Sequence, residues 1–252
     1  MNVSELNIYP IKSLGGISLK SSIVEERGLQ FDRRWLLVDD KNHFLTQREF
    51  PQMARFTIEL GNEELNIKFE GNNLTIPFQA NSEESGNVKI WSSRVKTKFC
   101  ADEINEWFSE NLQTKCRLVV MTKESKRIVE PFYAVRKFKD TVSFADAYPY
   151  LLIGTDSLTD LNGKLEKPLP MNRFRPNFVI SGSEAFAEDS WKKIKIGDTI
   201  FHVVKNCARC VITTIDQEKG AKNGAEPLAT LAKYRNKNGK VSFGRYMIVM
   251  PQ

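Results

Sequence analysis

The sequence contains only two histidines and four cysteines among its 252 residues. Two histidines leave little material for a histidine-ligated metal site or for a Ser-His catalytic triad. Four cysteines are too few for a disulfide scaffold in a chain of this length. No apolar run is long enough to span a membrane, and the N-terminus has no secretory signal. We therefore expect a cytoplasmic protein without a membrane span or a removed leader.

The charge balance is moderately basic. Lysine and arginine outnumber aspartate and glutamate by 37 to 31, which gives a formal net charge of +6. This excess is compatible with nucleic acid and with a small anionic ligand. The basic residues lie in predicted turns at strand ends and are not interleaved with aromatic residues, as single-stranded nucleic-acid grooves require. We therefore do not expect nucleic acid as the primary partner.

Short runs of β-forming residues separated by turns dominate the pattern. Strands are predicted at 3–11, 17–19, 23–24, 34–38, 43–46, 56–60, 65–69, 74–76, 88–90, 117–121, 178–180, 194–196, 199–204, 211–214 and 246–250. Helices are predicted from Asp102, after Thr155, and over 228–234, each with apolar residues on one face. The prediction is a mainly β protein with a few helices, in which the helix from Asp102 and the strand at 117–121 join an N-terminal β-rich half to a C-terminal β-barrel half.

Residues 207–210, with the sequence CARC, form the only close cysteine pair. A zinc site would need two more ligands, and Cys100 and Cys116 are not at the spacing of a zinc knuckle. A thioredoxin-like pair would open a helix, whereas 211–215 is predicted as a strand. Burial as two small core residues remains about equally compatible with the pattern. Arg209 favours a metal-binding thiolate, because a neighbouring cation lowers a thiol pKa.

Basic residues also cluster in three turns beside predicted strands. These are Tyr9-Pro10-Ile11-Lys12-Ser13, Asp32-Arg33-Arg34-Trp35 and Arg173-Phe174-Arg175-Pro176-Asn177. Arginine offers phosphate a two-pronged donor, and a lysine with a serine hydroxyl can hold an oxyanion. Each cluster alone is equally compatible with a basic surface turn. Together the clusters predict several cationic side chains around one anionic ligand.

These segments follow one another in the order found in MOSC-domain proteins, which the sequence resembles from about residue 3 to about residue 249. The resemblance rests on IYPIKS at 8–13, DRRW at 32–35, NRFRPN at 172–177, AEDSW at 187–191, CARC at 207–210 and TTID at 213–216. The sequence is most similar to the amidoxime-reducing branch and its bacterial counterparts. The resemblance implies that 1–115 is a MOSC-associated β-barrel domain and 116–252 a MOSC domain.

The resemblance also implies a molybdenum cofactor, in which a metal is bound by the sulfurs of a pterin and by one protein thiolate. The matching thiolate is Cys210. The positions implied to contact the pterin or its phosphate are Lys12, Ser13, Arg33, Tyr148, Arg175 and Asn177, with Arg209 beside the thiolate. Asp216 is either a proton relay or a turn aspartate. At the level of the whole family, the resemblance also brings an association with pyridoxal phosphate.

The implied activity is the reduction of N-hydroxylated compounds, such as hydroxylamines or N-hydroxylated bases, to amines. A cofactor carrier or sulfur-transfer protein is the alternative. An iron–sulfur cluster would need four cysteines, and only Cys100 and Cys116 lie outside the pair, so we expect a separate electron donor of the ferredoxin or flavin reductase type. Family members usually continue past the strand at 246–250. The sequence stops at Gln252, which predicts a different closure of the barrel or a truncated C-terminal strand.

Overall fold

The computed structural model describes residues 1–79 and 81–250. Up to residue 120, the strands are β1 (Asn2–Ile8), β2 (Ile17–Leu19), β3 (Val24–Glu25), β4 (Gly28–Leu29), β5 (Trp35–Val38), β6 (Thr57–Leu60), β7 (Glu64–Phe69), β8 (Asn72–Pro77), β9 (Ser85–Ile90), β10 (Ser93–Phe99) and β11 (Arg117–Val120). The later strands are β12 (Tyr150–Gly154), β13 (Phe178–Ser181), β14 (Lys193–Ile196), β15 (Thr199–Ala208), β16 (Ile215–Asp216), β17 (Ala221–Lys222), β18 (Asn236–Lys237) and β19 (Lys240–Val249). The α-helices are α1 (Asp102–Leu112), α2 (Thr155–Asn162) and α3 (Leu228–Tyr234). The mainly β fold class predicted from the sequence is confirmed.

The largest sheet has the strand order β14-β15-β19-β12-β13-β1-β2, and β18 pairs with β19. Its β1 and β2 come from the start of the chain, whereas the other strands follow residue 149. β1 runs antiparallel to β13, with Leu6 opposite Phe178. Ile8 and Phe178 are buried in the core of this sheet. This pairing places the loop after β1 next to residues from the second half of the chain.

Two smaller sheets hold the remaining long strands, in the orders β5-β11-β10-β9 and β6-β7-β8. Helix α1 packs on β11 and β8. Its buried face includes Ile104, Phe108 and Leu112, spaced as an amphipathic helix requires. Asp102 is the first residue of the helix, and Gln113 ends it in a left-handed conformation with a φ of 52°. No helix among the described residues is long and apolar enough to cross a membrane.

Among the strands that the sequence pattern did not reveal, β10 and β12 are the longest. β10 alternates buried Val95, Thr97 and Phe99 with exposed or half-buried polar residues, and its lysines obscured that alternation. β12 is buried along its whole length and lies between β19 and β13. A continuous apolar run of this kind shows no period of two, because both faces of a central strand are covered.

Candidate cofactor site

One cavity brings together all eight side chains selected from the sequence. Its lining includes Lys12, Ser13, Arg33, Tyr148, Arg175, Asn177, Arg209 and Cys210. These residues lie after β1, before β5, before β12, before β13 and after β15. Loops at strand ends from both halves of the chain therefore converge on one place.

The two cysteines of the CARC segment occupy different environments. Cys207 lies in β15 and packs in the core with 2% of its surface exposed. Burial raises the pKa of its thiol, although Arg209 and a hydrogen bond with Tyr246 act in the opposite direction. Cys210 follows the end of β15 and is exposed at the cavity. Both cysteines line the cavity, but only Cys210 is exposed, so its thiol is the more accessible to an incoming ligand.

The segment after Cys210 is a 3-10 turn over Val211–Thr214, so the predicted strand at 211–214 is wrong. The hydroxyl of Thr213 donates to the Cys210 carbonyl at 3.0 Å, and the hydroxyl of Thr214 donates to the Val211 carbonyl at 2.7 Å. Threonine hydroxyls that bond to nearby carbonyls compete with strand pairing. The turn directs the chain away from β15 directly after Cys210.

Arg33 and Arg175 lie on the ring of Tyr9, with guanidinium carbons 4.4 and 4.2 Å from the ring centroid. Arg33 donates to both carboxylate oxygens of the fully buried Asp32, at 2.9 and 2.7 Å. Arg175 donates to the Leu14 carbonyl at 2.6 Å. Burial lowers the pKa of Arg175 to about 10, so it remains a cation at neutral pH. The two guanidinium groups are held in place before any ligand arrives.

Lys12 forms an ion pair with Asp146, with Nζ 2.5 Å from Oδ1. Burial lowers the pKa of Lys12 to about 8, although Asp146 raises it in part. Enclosure raises the pKa of Asp146, but Lys12 and nearby arginines lower it by more, so this carboxylate stays ionised. Arg127 donates to the carbonyls of Ser143, Ala145 and Asp146 and so fixes this part of the wall.

The cavity has an excess of positive charge. Its lining contains five cations, Lys12, Arg33, Arg48, Arg175 and Arg209, and one carboxylate, Asp146. Among the described residues, Arg48, Arg175 and Arg209 have no carboxylate within 4.0 Å. Cations that converge without counterions repel one another, so this arrangement favours an anionic ligand. Arg48 was not selected from the sequence. It follows the strand predicted at 43–46, and the selected basic residues likewise lie next to predicted strands.

Two buried polar atoms of the cavity residues lack a hydrogen-bond partner in the described part of the chain. They are Oη of Tyr148 and Nη2 of Arg209. The other guanidinium nitrogens of Arg209 donate to the Phe243 and Phe174 carbonyls, at 2.7 and 3.0 Å. A buried donor without a partner is uncommon. Both atoms can donate to a polar ligand such as a phosphorylated pterin.

Asn177 has a different role from the cations. Its Oδ1 accepts from the Leu151 amide at 3.1 Å, and its Nδ2 donates to the Asn7 carbonyl at 3.1 Å. These bonds join the backbones of β12 and of β1, so Asn177 connects strands from the two halves of the chain. Asp216 accepts from the Glu218 and Lys219 amides at 3.1 and 3.0 Å, which favours the turn interpretation over a proton relay.

The described residues contain no group of three or more histidine, cysteine, aspartate or glutamate side chains able to hold a metal ion. A metal bound at Cys210 would therefore need most of its ligands from a cofactor. The soft thiolate, the surrounding cations and the free donors of Tyr148 and Arg209 fit a metal complex that carries its own sulfur ligands and a phosphate.

Comparison with known families assigns the two parts of the chain. Residues 1–115 match the MOSC N-terminal beta barrel domain, and residues 139–252 match the MOSC domain. The chain belongs to the family of MOSC proteins that carry this N-terminal domain. The resemblance inferred from the ordered motifs is thereby confirmed.

Within this family, the chain is similar to mitochondrial amidoxime-reducing components. It is 35% identical to component 2 of Rattus norvegicus over 243 residues, which cover 92% of this chain and 72% of that protein. It is 30% identical to component 1 of Homo sapiens over 241 residues, with the same two coverages. It is also 34% identical to the molybdenum cofactor sulfurase of Oryza sativa subsp. japonica, across 97% of this chain but only 32% of that protein.

Proposed function

We propose that the protein is a molybdenum-cofactor-dependent oxidoreductase that reduces N-hydroxylated compounds to amines, with electrons from a separate donor protein. The observation that carries this proposal is the convergence of an accessible Cys210 thiol and five cationic side chains on one cavity. The similarity to amidoxime-reducing components over 92% of the chain supports the choice of substrate class.

In this proposal, each group of cavity residues has a distinct role. Cys210 would be the protein ligand of the metal. Lys12, Arg33 and Arg175 would bind the phosphate end of the pterin, with a point charge from the lysine and forked donors from the arginines. Tyr148 and Arg209 would donate their unused hydrogen bonds to the pterin. When bound, the cofactor would supply the two-electron chemistry that the side chains of this protein lack.

The overall reaction determines what else the site must provide. An N–O bond of the substrate breaks, the nitrogen is reduced by two electrons, two protons are taken up, and the oxygen leaves as water. The two electrons come from the donor protein, one at a time. The cavity must therefore enclose the pterin and leave the region around Cys210 accessible to the substrate.

Turnover with an artificial donor tests this function. The protein, purified from a host that makes the cofactor, should convert acetamidoxime to acetamidine when a reduced one-electron dye is supplied. The Cys210→Ala variant should give no turnover above the dye alone. An active Cys210→Ala variant, or an inactive wild type that contains stoichiometric molybdenum, would contradict the proposal.

Similarity to a molybdenum cofactor sulfurase over almost the whole chain favours a second candidate, a cofactor carrier or sulfur-transfer protein. In that case Cys210 would carry sulfur, and the purified protein would hold no lasting molybdenum. Mass spectrometry would then detect a persulfide on Cys210, and amidoxime reduction would be absent. A reductase would instead retain molybdenum, carry no persulfide on Cys210 and reduce the amidoxime.

A further inference from the structure

A second and wider cavity opens directly from the cofactor cavity. The two share the side chains of Arg48, Asp146, Ala208, Cys210 and Tyr246 in their walls. The second cavity is the wider of the two, with about 1370 Å³ of space between its lining atoms against about 750 Å³ in the cofactor cavity, part of it open to solvent in each case. We call the second cavity the vestibule. A molecule in the vestibule lies against the exposed side of Cys210.

The outer wall of the vestibule carries two exposed aromatic residues, Trp91 and Phe138. Their exposed fractions are 44% and 70%. Trp91 lies at the two-residue turn between β9 and β10, where Ile90 pairs with Ser93. Phe138 lies in the long segment between β11 and β12. Core packing does not explain large aromatic side chains at such exposed positions.

Backbone conformation does not explain these aromatic residues either. Trp91 and Phe138 have φ values of 52° and 61°. This left-handed region favours glycine and asparagine and costs other residues roughly 1–2 kcal/mol. Aromatic side chains are therefore slightly unfavourable for stability at both positions. Strain of this kind is often found at binding sites.

Trp91 is held in a defined position beside the cofactor cavity. Its ring centroid lies 5.0 Å from that of Phe44, and the guanidinium carbon of Arg48 lies 4.8 Å from the Trp91 ring. Nη1 of the same Arg48 is 4.0 Å from the sulfur of Cys210. One arginine therefore connects the aromatic wall with the proposed metal ligand.

The charges in the vestibule disfavour a cationic guest. Its two carboxylates are already paired, Glu130 with Lys205 at 2.9 Å and Asp146 with Lys12 at 2.5 Å. Arg48 faces the space with no carboxylate partner within 4.0 Å among the described residues. A cationic guest would meet Arg48 without a free anion to compensate.

We propose that the vestibule is the substrate-binding site and that it selects N-hydroxylated compounds with a flat aromatic ring and no positive charge. The ring would stack on Trp91 and Phe138 while the N–OH group reaches toward Cys210. This inference rests on the proposed reductase function and names its substrate class. Trp91 and Phe138 are specificity-determining residues here, and neither takes part in the chemistry.

Benzamidoxime and acetamidoxime test the proposal, because they differ only in a phenyl or a methyl group. Trp91→Ala and Phe138→Ala should each raise KM for benzamidoxime roughly three- to tenfold, the value of one aromatic contact. The value of kcat, and both constants for acetamidoxime, should change little. Trp91→Phe should retain most of the benzamidoxime affinity. Phe132→Ala is the matched control, since Phe132 is 80% exposed in the same segment but lies outside the vestibule.

Binding measured without turnover separates this proposal from the reductase function. Ligand-observed NMR should show benzamidoxime bound to the wild type and to Phe132→Ala, and several-fold weaker binding to Trp91→Ala. This result is expected even if the protein reduces neither compound. Equal affinity in wild type and Trp91→Ala, no binding to the wild type, or an equal loss for acetamidoxime would overturn the proposal.

Discussion

Arg33 and Arg175 flank the same tyrosine ring but differ in what they neutralise. Arg33 is the partner of the fully buried Asp32, whereas Arg175 bonds to a backbone carbonyl and has no carboxylate partner within 4.0 Å in the described chain. Removing one member of a buried ion pair leaves the other as an uncompensated charge. The two substitutions should therefore have distinct effects, although both remove a cation from the cavity.

We expect Arg175→Ala to lower cofactor occupancy severely while the cofactor-free protein loses little stability. Arg33→Ala should lower occupancy as well and should also reduce the free energy of unfolding of the cofactor-free protein by roughly 3 kcal/mol. Molybdenum analysis and urea unfolding measure the two quantities. Full molybdenum content in both variants would show that neither arginine binds the cofactor.

Lys12 gives the site a dependence on pH. Its pKa of about 8 lies below the ordinary value of 10.5 because the side chain is buried. Without cofactor, Lys12 therefore keeps its proton to a higher pH in the unfolded chain than in the folded chain. As a result, its contribution to the free energy of unfolding rises between about pH 8 and 10.5. Cofactor binding has the opposite dependence, because only the charged amine attracts phosphate, so affinity should fall as pH rises through about 8.

The expected result is a lower molybdenum content after dialysis at about pH 9 than at about pH 7, on either side of the Lys12 pKa. Lys12→Arg should show a much smaller difference, because a guanidinium stays charged over this range. An equal loss from wild type and from Lys12→Arg would show that another group controls retention.

At the scale of an element, the 3-10 turn after Cys210 should depend on its two threonine hydroxyls. Thr213 and Thr214 are both buried and donate to carbonyls three residues earlier. Thr213→Val and Thr214→Val keep the side-chain shape and should each cost about 1 kcal/mol, the net value of one hydrogen bond. Thr159→Val is the matched control, since its hydroxyl makes a similar local bond at an exposed position of α2. Equal effects at all three positions, measured by urea unfolding, would contradict this account.

The same turn shows where prediction from sequence reaches its limit. The strand predicted at 65–69 is found as Glu64–Phe69 because alternating burial is visible in the sequence. Residues 211–214 have equally strong β propensity, yet their hydroxyls bond locally and the segment forms a 3-10 turn. Propensity therefore predicts a strand only where tertiary pairing supplies a partner.

The membership of the candidate site could be predicted from its motifs, but its internal contacts could not. The basic residues at predicted strand ends indicated the clusters, and the resemblance to MOSC-domain proteins selected Lys12, Arg33 and Arg175 within them. The ion pair of Lys12 with Asp146 joins residues 134 positions apart, and the two arginines on Tyr9 meet only in the folded chain. The exposure of Cys210 relative to Cys207 likewise depends on where β15 ends.

At the scale of the whole molecule, electron supply is the property most open to test. The sequence contains no Gly-rich dinucleotide fingerprint, and its net charge is +6. We therefore expect no turnover of a hydroxylamine with NADH alone and activity with an acidic ferredoxin and its reductase. The ferredoxin-supported rate should fall as salt rises, because electrostatic docking is screened. Strong turnover with NADH alone would point to a flavin site that this account lacks.

Molybdenum content of the two cysteine variants tests the central claim most directly. The protein and its variants would be purified from a host that makes the cofactor, and the metal measured per chain. We predict stoichiometric molybdenum in the wild type and substantial molybdenum in Cys207→Ala, because Cys207 is a buried core thiol. Cys210→Ala should lose most of the metal while it remains folded. Equal and complete loss in both variants, or no molybdenum in the wild type, would contradict the assignment of Cys210 as the metal ligand.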